Sequence, residues 1–481
     1  MPGRVTSAPG VTQGTDARSM HRAAVERLVA SYDAIPRDAP VRLAKRTSNL
    51  FRARDRPRTA GLDVSGLDGV ILVDPEARTA DVGGMCTYEH LVAATLPHGL
   101  SPLVVPQLKT ITLGGAVTGL GIEAASFRNG LPHESVLELD ILTGAGELVT
   151  AQPDGPHADL YRGFPNSYGS LGYATRLRIE LEPVERFVEL RHLRFHTLEA
   201  LVECLERIVL DRSHDGERVD YLDGVVFSAT ESYLTLGRQS AEPGPVSDYT
   251  GMSVYYRSLQ HDGDAPKRDR LTTEDYLWRW DTDWFWCSRA FGAQDPRVRR
   301  LWPRRWRRSS VYWKLVALDR RWSVADRLEA RKGRPPRERV VQDVEIPVGE
   351  CAAFVHWFLR EIPIEPIWLC PLRLREDGPF PPQPGSQPWP LYPLRAGETY
   401  VNVGFWSSVP ADPGGDRGAA NRLIEQEVTA LHGHKSLYSD SFYERAEFDQ
   451  LYGGDAYARL KARYDPDARL LDLYSKAVQR R

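Results

Sequence analysis

The chain has 481 residues, 42% of them hydrophobic, and a formal net charge of −3. That length suits two or three domains around a large core, and the near-neutral balance provides no global field for nucleic acid. Five widely spaced cysteines (Cys86, Cys204, Cys287, Cys351, Cys370) without a CxxC pair argue against a disulfide framework or a zinc site, and with neither a secretory leader nor an apolar run of about 18 residues a cytosolic protein is expected.

In chain order, residues 1–20 are rich in Gly, Ser, Thr and Pro and read as a disordered tail. A short amphipathic helix follows, with Ala24, Leu28, Val29 and Tyr32 at helical spacing. Residues 70–73 and 79–82 read as strands around Asp74-Pro75. Thr87 is the expected N-cap of a helix over 88–96, with His90 where a capping box would carry an acid, and Pro97-His98-Gly99 ends it. Strand-like runs recur at 138–142, 147–151 and 174–181. These short mixed strands predict an α+β fold rather than a regular βαβ array.

Past Pro183 the aromatic density rises, most sharply over 276–286. Residues 376–395 and 410–418 read as mobile surface loops, and the last sixty residues as mostly helical, over 419–428 and 445–463. The expected division is a tail at 1–20, a first domain at 21–183, a second at 184–410 and a helical C-terminal segment at 411–481. One stretch departs from the global charge balance: residues 296–340 hold sixteen Lys or Arg against four Asp or Glu. Within it, 297–308 interleaves Arg with Trp302 and Trp306, a pattern suited to peripheral contact with an anionic membrane, or to a solvated helical face. No nucleic-acid motif accompanies it.

The most informative segment runs from Pro106 through Thr110, Thr112, Leu113, Gly114, Gly115, Thr118, Gly119, Gly121 and Ile122 to Glu123. Paired glycines let a backbone approach a ligand closely and turn N–H groups toward an anion, and the Thr hydroxyls add donors. A pyrophosphate suits that chemistry. Gly119-Leu120-Gly121-Ile122-Glu123-Ala124 also fits a GxGxxA dinucleotide fingerprint with Asp140 downstream. However, that fingerprint needs a long helix after it, and Asn129-Gly130 and Pro132 break one.

The run TLGGAVTGLGIEAASFRNG at 112–130 resembles the flavin loop of the vanillyl-alcohol oxidase (PCMH-type) superfamily, which holds FAD in a two-subdomain α+β domain. Lys45, Arg46, Thr47, Ser48, Asn49 and Leu50 sit where that family places its first phosphate loop. Gly169, Leu171 and Gly172 sit at its last FAD-contacting turn. The resemblance implies FAD contacts from these residues and from 106–130, including Ser126, Asn129 and Gly130. The first phosphate loop lacks the His that many members link to flavin, so non-covalent FAD is expected; Cys86 reads as a buried structural thiol.

Further segments, 221–228, 341–347, 366–372 and 437–440, resemble the Delta24-sterol reductase branch, over roughly residues 40–475. That branch reduces an isolated lipid C=C bond with FAD and NADPH. Composition and residues 464–474 resemble an actinobacterial subgroup associated with tuberculostearic acid. There, a SAM-dependent fatty-acyl methyltransferase partner makes a 10-methylene-stearoyl chain in phospholipid, and the flavoprotein reduces it to 10-methyl-stearoyl. The alternatives are a sterol side-chain reductase, an oxidase of an alcohol or aldonolactone, and a flavin-containing scaffold that docks the methyltransferase.

An isolated alkene has no carbonyl to accept electrons. Its reduction needs an acid, a low-dielectric channel, and groups that tolerate a developing cation. Trp278, Trp280, Trp284, Phe285 and Trp286 are candidates for the channel. Candidates for the acid are Tyr438, Asp283 and Asp281, with Glu123 more suited to orienting the flavin loop. His192, His196 and His356 show no metal spacing, so no metal is expected.

Overall fold

Two antiparallel sheets position everything else in the chain. The computed structural model describes residues 10–45, 51–52, 61–322, 333, 335–378, 380–411, 416 and 418–479. The first sheet contains β1 (Val70–Asp74), β2 (Thr79–Gly83), β3 (Leu100–Pro102), β4 (Val136–Thr143), β5 (Leu148–Ala151) and β6 (Gly172–Pro183), in the order β1-β2-β6-β4-β5 with β3 also on β6. Period-two alternation separates its faces. Val82, Leu139 and Leu177 meet in register on the buried side. On the other side Arg176 gathers Asp81, Glu138 and Asp140.

The second domain opens with β7 (Phe187–Phe195) and a small hairpin, β8 (Ser213–His214) and β9 (Glu217–Arg218). It continues with β10 (Tyr221–Ser228), β11 (Glu231–Ser240), β12 (Lys267–Thr272), β13 (Arg337–Pro347), β14 (Ile367–Arg373), β15 (Thr399–Pro410) and β16 (His434–Lys435). Apart from the hairpin these strands form one sheet, ordered β12-β7-β11-β10-β14-β15-β13-β16. Alternation again decides which residue faces where. Leu222, Val226, Val344, Ile367, Leu369, Val401 and Phe405 form one core with helices Leu198–Asp211 and Cys351–Glu361. Val225, Trp368 and Trp406 belong to the core shared with the first domain. Across four strands, Val225, Trp368, Gly404 and Asp343 stand side by side in one row. An α+β architecture of the PCMH type results.

Three local expectations change. Helix α1 (Gly10–Asp33) begins inside the segment expected to be a disordered tail, and buries Ala24, Leu28 and Tyr32 against Leu62, Leu67 and Leu470. The Pro-rich stretch is not wholly a surface loop: Trp389, Leu391, Tyr392 and Leu394 are buried in the core. Proline removes backbone donors without preventing side-chain burial, and apolar residues spaced between prolines supply the core contacts. The helix expected over 445–463 is two, Arg445–Leu451 and Gly454–Tyr464, split where Gly453 and Gly454 take φ values of 94° and 42°. Residues 412–415 and 417, in the second predicted loop, lie outside the described residues.

The C-terminal segment is divided between the domains. Its β16 pairs with β13 in the second sheet. Beyond Gly453 the chain returns to the first domain, where Lys461 donates to Ser170 O at 2.8 Å and Lys476 to Gly169 O at 2.6 Å. No helix among the described residues is long and apolar enough to cross a membrane.

Candidate active site

A cavity of about 670 Å³ lies where the glycine-rich segment meets the row across the second sheet. Its size falls within the range of about 300–1,000 Å³ usual for ligand sites. Lys45, Pro106, Thr110, Thr112, Gly114, Gly115, Thr118, Gly119, Gly121, Ile122, Gly169 and Gly172, all expected at the flavin, line it. So do Trp284, Phe285 and Tyr438 from the second half of the chain. Arg46, Thr47, Ser48, Asn49 and Leu50 lie outside the described residues.

The glycine segment folds into helix α3 (Leu113–Gly119) after a Thr112 N-cap. The paired glycines do not present free amides here. Gly114 N–H donates to Gly84 O at 3.1 Å and Gly115 N–H to Thr112 Oγ1 at 3.2 Å. What they provide is proximity: a Cβ on Gly114 would lie 2.6 Å from Gly84 O, and one on Gly121 2.7 Å from Pro106 Cγ. Tyr168, on the turn before β6, locks the far end of α3 by donating from its hydroxyl to Gly119 O at 2.8 Å. Charge comes from side chains. Arg42, Lys45, Arg52 and Lys476 line the cavity, against one lining carboxylate, Asp343. Four cations on a closely approaching backbone fit a diphosphate-bearing cofactor.

A buried carboxyl at the cavity comes from the second sheet. Asp343 projects from β13 toward Gly404, where a Cβ would come within 2.4 Å of Asp343 Oδ1. Burial raises the Asp343 carboxyl to about 7, although hydrogen bonds from Tyr438 and Asn402 pull it down. Tyr438 receives the Trp406 Nε1–H at 2.8 Å, and burial pushes its phenol well above the usual range. A carboxyl that is half protonated near neutrality, hydrogen-bonded to a phenol at a cavity wall, is chemically a proton reservoir with a relay.

The walls around this pair are aromatic. Phe285 lies 4.1 Å from Trp406 between ring centroids and stacks on Trp280 at 4.8 Å, while Trp284 lies 5.2 Å from Trp313. Leu120, Tyr168, Trp284 and Phe285 all line the cavity with positive φ, between 48° and 58°. Such conformations cost about 1–3 kcal/mol each and collect at functional sites. Trp368, Trp406, Trp313 and Phe51 also line the cavity and complete this wall. Sequence reasoning missed them because each reaches it through a different element.

Other expected site residues sit elsewhere. Asp281 accepts from Lys109 N–H at 3.0 Å and from the Ser309 hydroxyl, and Asp283 pairs with Arg299 at 2.7 Å. Burial raises both carboxyls, but both are used as internal anchors and neither borders the cavity. Trp278, Trp280 and Trp286 form a second layer behind the wall; Trp280 donates to Asp223 Oδ2 and Trp286 to Trp406 O. Glu123 faces Arg279 at 2.7 Å, and Arg279 reaches Asp223 at 2.9 Å, a buried bridge between the domains. Ser126 accepts from Glu123 N–H, and Asn129 donates to Leu103 O. Gly130, at φ 68°, ends the helical turn Ser126–Asn129, and Leu113 and Leu171 are core residues. These six shape the flavin loop from behind. Cys86 is buried off the cavity, and burial pushes its thiol up to about 12. No cluster of metal-ligating side chains occurs among the described residues.

Residues 23–152 match the family model for the FAD binding domain. The Delta(24)-sterol reductase of Arabidopsis thaliana is 25% identical over 456 residues, which cover 89% of this chain and 78% of the relative. The Delta(24)-sterol reductase of Homo sapiens is 25% identical over 358 residues, covering 70% of this chain and 62% of the relative, so this chain spans rather less than two thirds of the human protein. Cytokinin dehydrogenase 5 of Oryza sativa subsp. japonica is 36% identical over 95 residues, 20% of this chain and 17% of the relative. The chain is thus an FAD-dependent oxidoreductase with an FAD binding domain at residues 23–152, and over most of its length it is similar to Delta(24)-sterol reductases.

Proposed function

We propose that this oxidoreductase reduces an isolated C=C bond in a lipid, drawing electrons from NADPH through non-covalently held FAD. The observation that carries the reading is the Asp343–Tyr438 pair in an aromatic wall of the cavity that the glycine segment also lines. Arg42, Lys45, Arg52 and Lys476 would hold the diphosphate, and bound FAD, once reduced, supplies the hydride. Asp343, in its protonated form, gives its proton through Tyr438 to the less substituted alkene carbon. Positive charge then develops on the more substituted carbon. Trp284, Phe285, Trp368 and Trp406 surround that space, and each aromatic face facing a cation contributes about 0.5–2 kcal/mol. The same packed rings exclude water, which would otherwise trap the charge.

Two substrates share the required feature, an alkene carbon carrying two carbon substituents. Similarity to proteins named Delta(24)-sterol reductase supports a sterol side chain. Residues 464–474 support a 10-methylene-stearoyl chain in phospholipid, with a SAM-dependent fatty-acyl methyltransferase as the partner that makes it. The test is direct. Under nitrogen, FAD-loaded protein and NADPH are given each alkene separately. The reading expects a product two mass units heavier from one of them. It fails if neither is reduced, and an oxidase reading replaces it if the reduced protein instead converts oxygen rapidly to peroxide.

A further inference from the structure

We propose that the exposed face of residues 297–306 docks this protein on an anionic lipid bilayer. The basic run in the sequence separates into two sets. Arg299 and Arg307 turn inward, 1% and 7% exposed: Arg299 pairs with Asp283, and both donate to Gly251 O. They fix the segment to the protein body. The others face solvent. Arg297, Arg300, Arg304 and Arg305 are exposed, and among them stand Leu301 at 85%, Trp306 at 48% and Val298 at 38% exposure. Met252, next to the Gly251 carbonyl that both anchors grip, is 50% exposed.

Local acids do not cancel this charge. Asp295 caps helix Pro296–Leu301, accepting from Arg297 and Val298 N–H. Asp248 pairs with Arg304 at 3.0 Å, but both side chains are more than half exposed, where such pairs contribute little. Three arginines remain around a rigidly held apolar tip. A bilayer interface satisfies both parts at once: guanidinium groups meet lipid phosphates, while Trp and Leu enter the headgroup–acyl boundary. A nucleic acid would satisfy only the arginines and leave Leu301 and Val298 in water.

The patch is also continuous with the cavity wall. Trp302 packs on Tyr312 at 6.2 Å, and the next residue, Trp313, lines the cavity and meets Trp284. Docking there would bring the aromatic wall to the membrane from which a lipid substrate comes. Membrane binding is measured without turnover and is independent of the proposed reaction.

The test is flotation of the full-length, FAD-loaded protein with vesicles of phosphatidylcholine alone or mixed with phosphatidylglycerol. The protein should float with the anionic vesicles, and less so as salt rises. Each arginine near the surface raises partitioning roughly fivefold, so R297E/R300E/R305E, which removes three and adds three repelled charges, should lower it by at least about a hundredfold. L301S/W306S should lower it at least about tenfold. Both variants should keep bound FAD, shown by the flavin spectrum. Equal binding to neutral and anionic vesicles, or unchanged binding by the triple variant, overturns the proposal. So does a double Ser variant that binds like the parent, because the patch would then be a purely electrostatic site.

Discussion

Asp343 sits where two demands on a carboxyl compete. Burial disfavours its charge, and Tyr438 and Asn402 donate hydrogen bonds that favour it; burial wins, leaving the group at about 7. If its proton reaches the alkene, D343N should lower kcat by about 10²–10⁴-fold while FAD stays bound. In the parent, kcat/KM should fall as pH rises through about 7, and that limb should vanish in D343N. The same shift predicts a stability effect. The folded-state value lies above the ordinary 3.8, so the fold binds the proton more tightly than the unfolded chain. That contribution is complete below about pH 4 and is lost as pH approaches and passes about 7. The melting temperature of the parent relative to D343N should therefore decline across that window; a constant difference would contradict the assignment. Tyr438 was legible in the sequence through its Leu-Tyr-x-Asp resemblance. Asp343 lies in the strand motif at 341–347, but nothing local in that motif marks it as an acid. Its role depends on Gly404 and Trp368 being its neighbours across strands, and such pairing is not written locally.

Among elements, α3 and the Arg279 bridge make the sharpest predictions. G114A would place a methyl 2.6 Å from the Gly84 backbone carbonyl, an overpacking that typically costs about 1–3 kcal/mol. Desalted G114A should lose its yellow colour while the parent keeps it. R279M would leave Glu123 and Asp223 buried without their cation, and losses of about 3–5 kcal/mol accompany such changes. Denaturant unfolding should show that loss, whereas an unchanged midpoint would mean the bridge is not the main tie between domains. Here the sequence was a good guide to what local chemistry decides: the Asp74-Pro75 turn, the Thr87 cap and the core strands all follow from neighbouring residues. It was a poor guide where distant packing decides. The Pro-rich stretch contributes buried Trp389 and Tyr392, and the aspartates among the tryptophans serve Arg299 and Ser309 rather than the cavity.

At the scale of the whole molecule, the cavity is built by three parts of the chain that meet only in the fold. The first domain supplies the glycine segment, the second domain supplies Asp343 and most of the aromatic wall, and the returning C-terminal segment supplies Lys476. The glycine motif made the cofactor readable; the meeting of the parts did not follow from it, because each contributes through contacts hundreds of residues apart. The measurement that bears most directly on this account is anaerobic stopped-flow in D2O. Protein whose flavin has been reduced beforehand is mixed with the alkene that serves as substrate, and flavin absorbance and product mass are followed together. The account predicts flavin reoxidation without oxygen, a solvent deuterium on each of the two former alkene carbons (the N–H of reduced flavin exchanges with solvent), and a slowing of about 10²–10⁴-fold in D343N. Flavin that stays reduced under nitrogen, or a D343N protein that reoxidises as fast as the parent, would contradict it.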